Sequence, residues 1–251
     1  MVNQSVHGYK SGLRQLETQI FLSFDCPETV DFTAVDKVIQ KIYGLQIDEW
    51  STETSRPHST AETFSERAMI IARSILQDAR LPIFDLGVIL NTDRSEENTQ
   101  KWHIQIAIPA IDHVSLKLLI KAYRSALRVL RQCIYMPQEP LNLSAIQSAI
   151  SKKTVQPIRA RVVAGISTTH ILKAAYDLDI PFRHLGSGLY QLGWGSRARL
   201  IDRSSVESDS AFGSKVSQNK AWTSTLTRSA GLPSPTHIYL PIHLNRHNRQ
   251  R

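Results

Sequence analysis

Lys117, Lys121, Arg124, Arg128 and Arg131 recur at i, i+4, i+7, i+11 and i+14. On a helix this spacing places all five cations on one face, as a basic stripe about four turns long. Val114, Leu118, Ala122, Val129 and Cys133 form the apolar stripe of the same helix, predicted over about 113–132 with Asp112 as its N-cap. A solvated face accounts for such a stripe. So does a docking surface for an acidic peptide, polymer or other polyanion. The sequence holds no RNP, KH or zinc-finger pattern, which disfavours nucleic acid.

Other residues with chemical potential are more dispersed. Gly186, Gly188, Gly193 and Gly195 form the densest glycine cluster, GSGLYQLGWG. Glycine lets backbone amides approach a phosphate, but this run is neither GxGxxG nor GxxxxGK[ST]. Two tight turns around a short strand, with Tyr190, Leu192 and Trp194 alternating, explain it equally. Nine histidines are scattered; His58, His113, His170 and His184 make no metal spacing, and His103 lies on the outer face of a strand beside Gln105. Asp202, Glu207 and Asp209 cluster in a Ser-rich loop that solvation explains. Cys26 and Cys133 stand outside any CxxC motif and read as buried thiols. There is no Gly-x-Ser-x-Gly elbow. No catalytic residue and no metal ligand is assigned.

The elements that would position these residues follow from periodicity. Residues 17–25 read as a strand with Ile20, Leu22 and Phe24 on one face. A helix over about 30–43 carries Val35, Val38, Ile39 and Ile42 and stops at Gly44, and a second over about 61–79 carries Phe64, Ala68, Ile71, Ala72 and Ile75. Phe84, Leu86, Val88 and Leu90 alternate in one strand, 82–91. Trp102, Ile104, Ile106 and Ile108 alternate in the next, and the polar loop between them predicts an antiparallel hairpin. The expected architecture is α+β. Residues 14–137 form an N-terminal domain, a three-stranded antiparallel sheet with helices on one face. A linker at 138–158 is marked by Pro137, Pro140 and Pro157 flanking a short helical segment, LSAIQSAISKK. A small α/β segment follows at 159–235, and a basic tail at 236–251. In that segment a helix at about 168–178, capped by Thr168 or Thr169, precedes the strand IPFRHL, the glycine hairpin and two short helices.

The 251 residues suffice for one large or two small domains, and 41% apolar and 21% charged residues describe a soluble globular chain. No apolar run approaches the roughly 18 residues that span a bilayer, and the N-terminus lacks a signal-peptide core, so the cytoplasm is the expected compartment. The net charge of +8 favours an anionic partner, though Arg246, Arg249 and Arg251 beside His243 and His247 make part of it local to the tail.

The segment SQNKAWTSTLTRSAGLPSP combines Asn219-Lys220 at a helix start with Ala230-Gly231-Leu232-Pro233 at its end. With the rest of 158–235 it resembles the region preceding the nucleotide-binding domain of ATP-grasp ligases, and most closely that of the cyanophycin synthetase family. Residues 14–135 are similar to that family's small N-terminal domain in element order, not in motif. The resemblance implies an ATP-dependent carboxylate–amine ligase acting through an acyl phosphate, with ATP and Mg²⁺ as cofactors of the full-length family. It makes Lys220 the one candidate ATP contact, at a helix start that favours anions; a solvated lysine is the alternative. It also implies that the N-terminal domain helps hold an acidic polymer, which favours peptide over nucleic acid for the stripe. A partner ligase subunit is the other expected partner. The family's second phosphate-binding lysine, its adenine-contacting pair and its Glu…Glu-x-Asn metal set have no counterpart here. The chain is thus expected to be a catalytically incomplete, truncated portion of such a ligase, ended by a frameshift or early stop, and to need no cofactor by itself.

Overall fold

In the computed structural model, residues 10–44, 59–96, 100–135, 142–162, 165–235 and 237 are described. The basic tail other than His237, and His58, Pro137 and Pro140, lie outside the described residues. The chain divides into two compact units, Met1–Ser204 and Ser205–Arg251.

Alternation of Ile20, Leu22 and Phe24 produces β1, Glu17–Asp25, whose inward residues are buried while Phe21 and Ser23 face solvent. β1 pairs antiparallel with β3, Lys101–Pro109, in a register running from Glu17↔Pro109 to Asp25↔Lys101. β3 pairs on its other side with β2, Val88–Arg94, giving the order β1-β3-β2. On the outer face Gln105 donates to Gln19 at 2.9 Å, and His103 is exposed as its position predicts, alongside the exposed Phe21 and Val88.

The inner face is covered by α1, Phe32–Tyr43, α2, Thr60–Asp78, and α3, Leu116–Tyr135. α1 begins where the Asp31 carboxylate accepts the Ala34 N–H and ends at Gly44 in the left-handed conformation. α2 opens on a capping box between Ser59 and Glu62, and its C-terminal turn places Arg80 at φ 67°. Phe64 of α2 stacks on Phe24 of β1 with ring centroids 4.4 Å apart. Both cysteines are buried and unbridged, as their isolation in sequence suggests.

Three expectations about local structure are corrected. The strand expected at 82–91 starts only at Val88, with a bulge between Ile89 and Asn91. Leu81, Ile83 and Phe84 are buried in a loop whose Phe84 and Asp85 amides donate to the Gln15 side chain. The loop therefore buries consecutive apolar residues without a neighbouring strand. Asp112 does not cap α3; its carboxylate accepts from Arg183, and a left-handed His113 turns the chain so that α3 begins at Leu116 behind Ser115. Neither Thr168 nor Thr169 caps the next long helix, whose N-cap is Gly165; the Thr168 hydroxyl donates to the Arg203 carbonyl instead.

The short helix expected within the linker is present, and it continues past LSAIQSAISKK through Pro157. α4, Leu143–Ile150, runs through a π-turn, Ser151–Val155, into α5, Gln156–Arg159. Ile150, Val155 and Ile158 join the main core. The π-turn has a local cause. Pro157 has no N–H to donate to the carbonyl four residues back, and its ring crowds that carbonyl. The helix widens, and Gln156 N–H donates to the Ser151 carbonyl five residues earlier.

α6, Ile166–Asp177, then precedes the meander of β4, Phe182–Gly186, β5, Leu189–Leu192, and β6, Arg199–Asp202. Phe182, Tyr190 and Ile201 carry the core of the first unit into this second, antiparallel sheet, and the fold is α+β. The second unit begins with β7, Ser205–Val206. It continues through α7, Ala211–Ser217, and α8, Lys220–Ser229, and Ser224 is the one buried residue among its described residues.

Candidate functional site

α3 contains no acidic residue, and its polar face is the stripe read from the sequence. Lys117, Arg124, Arg128 and Arg131 are exposed and Lys121 is half-buried, so no member of the stripe is taken into the core. The opposite face is held rigidly. Leu118, Leu119, Ala122, Tyr123, Ala126, Val129 and Leu130 are buried, and Tyr123 is among the largest wholly enclosed side chains. This anchoring fixes the positions of the cations along the helix. The guanidinium of Arg131 lies 6.0 Å from the Tyr135 ring centroid.

The stripe borders a groove that sequence reasoning missed. One wall is α3, through Ser125, Arg128, Val129 and Gln132. The other is α4 and the π-turn, through Ala145, Ile146, Ala149, Ile150, Lys153 and Thr154. Its volume is about 330 Å³. At its base the Ser125 and Thr154 hydroxyls, both buried, are 2.7 Å apart and share a hydrogen bond. The signal available in sequence was Pro157, which marks a helix irregularity as readily as a linker.

A second concavity, about 310 Å³, is lined by Arg14, Tyr176, Asp179, Pro181, Phe182 and Trp194. Arg14 sits 3.7 Å over the Tyr176 ring and binds Asp179 at 2.5 Å, so its charge is already compensated. Behind it Asp85 accepts the Tyr176 O–H at 2.7 Å and the Gln15 N–H at 2.8 Å, a buried polar lock joining the start of the chain to α6. Burial is the main reason the Tyr176 phenol is raised.

The glycine cluster is built as turns. Gly186, Gly188, Gly193 and Gly195 all have positive φ, and Ser187 between the first two is also left-handed. His184 anchors the hairpin. The Gly188 N–H donates to its Nε2 at 3.3 Å, which assigns the proton to Nδ1, and Nδ1–H donates to the Asp112 carbonyl at 2.8 Å. Its ring stacks on Tyr190, centroid to centroid 4.6 Å.

Lys220 is exposed at the first position of α8, behind the Asn219 cap whose side chain accepts the Trp222 N–H at 3.1 Å. At the other end, the Gly231 N–H reaches Arg228 and the Leu232 N–H reaches Thr227, a Schellman closure that accounts for the Ala-Gly-Leu-Pro sequence on backbone grounds. Lys220 and the stripe belong to different compact units. Among the described residues no group of three or more His, Cys, Asp or Glu is placed to hold a metal ion, and no helix is long and apolar enough to cross a membrane. A scan against protein-family models and a search of curated proteins both return no match.

Proposed function

We propose that the chain is a binding module that docks an acidic peptide or polymer on the basic face of α3, as the non-catalytic portion of an ATP-dependent carboxylate–amine ligase. The observation that carries this reading is the rigidity and sign of the face: five cations along an acid-free helix whose other side is locked into the core. A peptide with a carboxylate every few residues can meet successive cations without reorganising the helix. The resemblance of 158–235 to ligase sequences supplies the ligase context, with Lys220 as the one residue it offers toward ATP.

The test is calorimetric titration of the chain with an aspartate-rich peptide at low and physiological salt. Saturable binding is expected, weakened at least tenfold by Lys117→Glu combined with Lys121→Glu. Affinity unchanged in that double variant removes the docking role. A steeper salt dependence and tighter binding with single-stranded DNA than with the peptide would transfer the face to nucleic acid.

A further inference from the structure

We infer that the groove between α3 and α4 is a binding site for a small amphipathic anion, a ligand with a carboxylate or phosphate head and a short apolar body. Three observations converge on it. The groove is large enough, about 330 Å³, at the lower end of the size range of small-molecule sites. Its lining is asymmetric in charge: Arg128 and Lys153 are exposed at it, no carboxylate lines it, and neither cation has an ion-pair partner among the described residues. Val129, Ile146, Ala149 and Ile150 give it an apolar strip beside the self-paired Ser125 and Thr154 hydroxyls, so the favourable ligand carries both characters. The π-turn is the device that builds the site. It interrupts α-helical register at Ser151–Val155, where Lys153 lines the groove and Thr154 meets Ser125. The hydroxyl pair satisfies itself and leaves recognition of the head group to the two cations.

This site stands apart from peptide docking, although Arg128 contributes to both. A peptide lying along the stripe needs Lys117 and Lys121; a ligand in the groove needs Lys153 and the space beside Ala149.

The experiment is titration of the full chain with octanoate, octyl phosphate and 1-octanol, followed by calorimetry. One of the two anions is expected to saturate a single site at least tenfold more tightly than the alcohol. Tighter octanoate binding assigns a carboxylate ligand, and tighter octyl phosphate binding assigns a phosphate ester. Lys153→Gln should weaken the anion about fivefold, and Ala149→Phe, which fills the groove from an exposed helix position, should abolish binding. Lys117→Glu should leave it unchanged. Octanol binding as tightly as both anions, no saturation by either anion below millimolar concentration, or equal losses in Lys117→Glu and Lys153→Gln would each overturn the proposal. Should Ala149→Phe lose its native melting transition, the comparison of Lys153→Gln with Lys117→Glu decides, since both side chains are exposed.

Discussion

At the scale of single residues, the buried acidic protons set the alkaline limit of the fold. Burial raises the Cys26 and Cys133 thiols from 9.0 to about 11 and the Tyr190 phenol from 10.0 to about 12. Unfolded, these groups release their protons near their ordinary values; folded, they hold them longer. Below pH 9 both states are protonated and the contribution to stability is complete. As pH rises through 9 to 12 the unfolded chain binds fewer protons than the native one, and stability falls. Thermal melts across pH 7 to 11 should show a midpoint that is level to about pH 8.5 and declines above 9. A midpoint that rises over that alkaline range contradicts the assignment. His184 shows the limit of reading at this scale. The sequence marked it only as one of four histidines without a metal spacing, and in the fold it anchors the glycine hairpin. Its two hydrogen-bond partners, Asp112 and Gly188, could not be named without the turn at His113 that brings Asp112 to it.

At the scale of elements, helix ends were legible where the residue type dictates them and obscure where it does not. Gly44 ends α1 as read, while the Asp31 cap at its start was not singled out. The end of α2 is closed by the same Schellman pattern as α8, with Arg80 to Gln77 and Leu81 to Leu76, yet the left-handed position holds arginine rather than glycine. Arg80→Gly should therefore stabilise the chain by roughly 0.5–1 kcal/mol, as relief of left-handed strain outweighs the added freedom of the unfolded state. A urea titration with an unchanged m-value checks this; a lower midpoint would show that the arginine side chain contributes more than its backbone costs. The same contrast explains the strand misplaced at 82–91. Apolar residues in sequence report burial, and a loop held down by Gln15 buries consecutive residues 81–85 without a sheet. Proline at 157 misled for a related reason. It disturbs helical hydrogen bonding, but here the disturbance is absorbed by a wider turn, so a groove wall stands where a linker was expected.

At the scale of the whole molecule, apolar burial is unevenly distributed. Every residue of the core cluster lies between Ile20 and Ile201, inside the first unit. In the second unit Phe212 is 73%, Trp222 48% and Leu226 53% exposed, and its helices are held by side-chain caps and backbone turns rather than by enclosed side chains. A chain ending at Ser204 should keep a cooperative melt within about 4 °C of the full chain, a shift worth on the order of 1 kcal/mol. The excised segment 205–251 should show no cooperative transition by circular dichroism. Loss of the transition in the shorter chain would mean that the second unit contributes to the core by a route its burial pattern does not show. The α+β class and three-strand pairing were readable because the alternation of β1 and β3 survives in the structure; that expected of β2 does not, since Val88 and Leu90 are exposed and Ile89 pairs with the buried Ile106. The groove was not readable, because it arises from how two consecutive helices, α3 and α4, pack and from the π-turn that follows the second.

The pairing of β1 with β3 has a kinetic consequence. β2 and β3 are joined by a short connection and can zip locally, whereas β1 must wait for a partner separated from it by α1, α2 and β2. During synthesis the ribosome releases ETQIFLSFD early and its mate only after α1, α2 and β2 have emerged. For that interval Ile20, Leu22 and Phe24 sit on an orphan strand with both edges bare, the kind of segment that chaperones shield and that seeds association when they do not. Refolding after dilution should accordingly be limited by the arrival of this N-terminal strand, and its yield should fall as protein concentration rises.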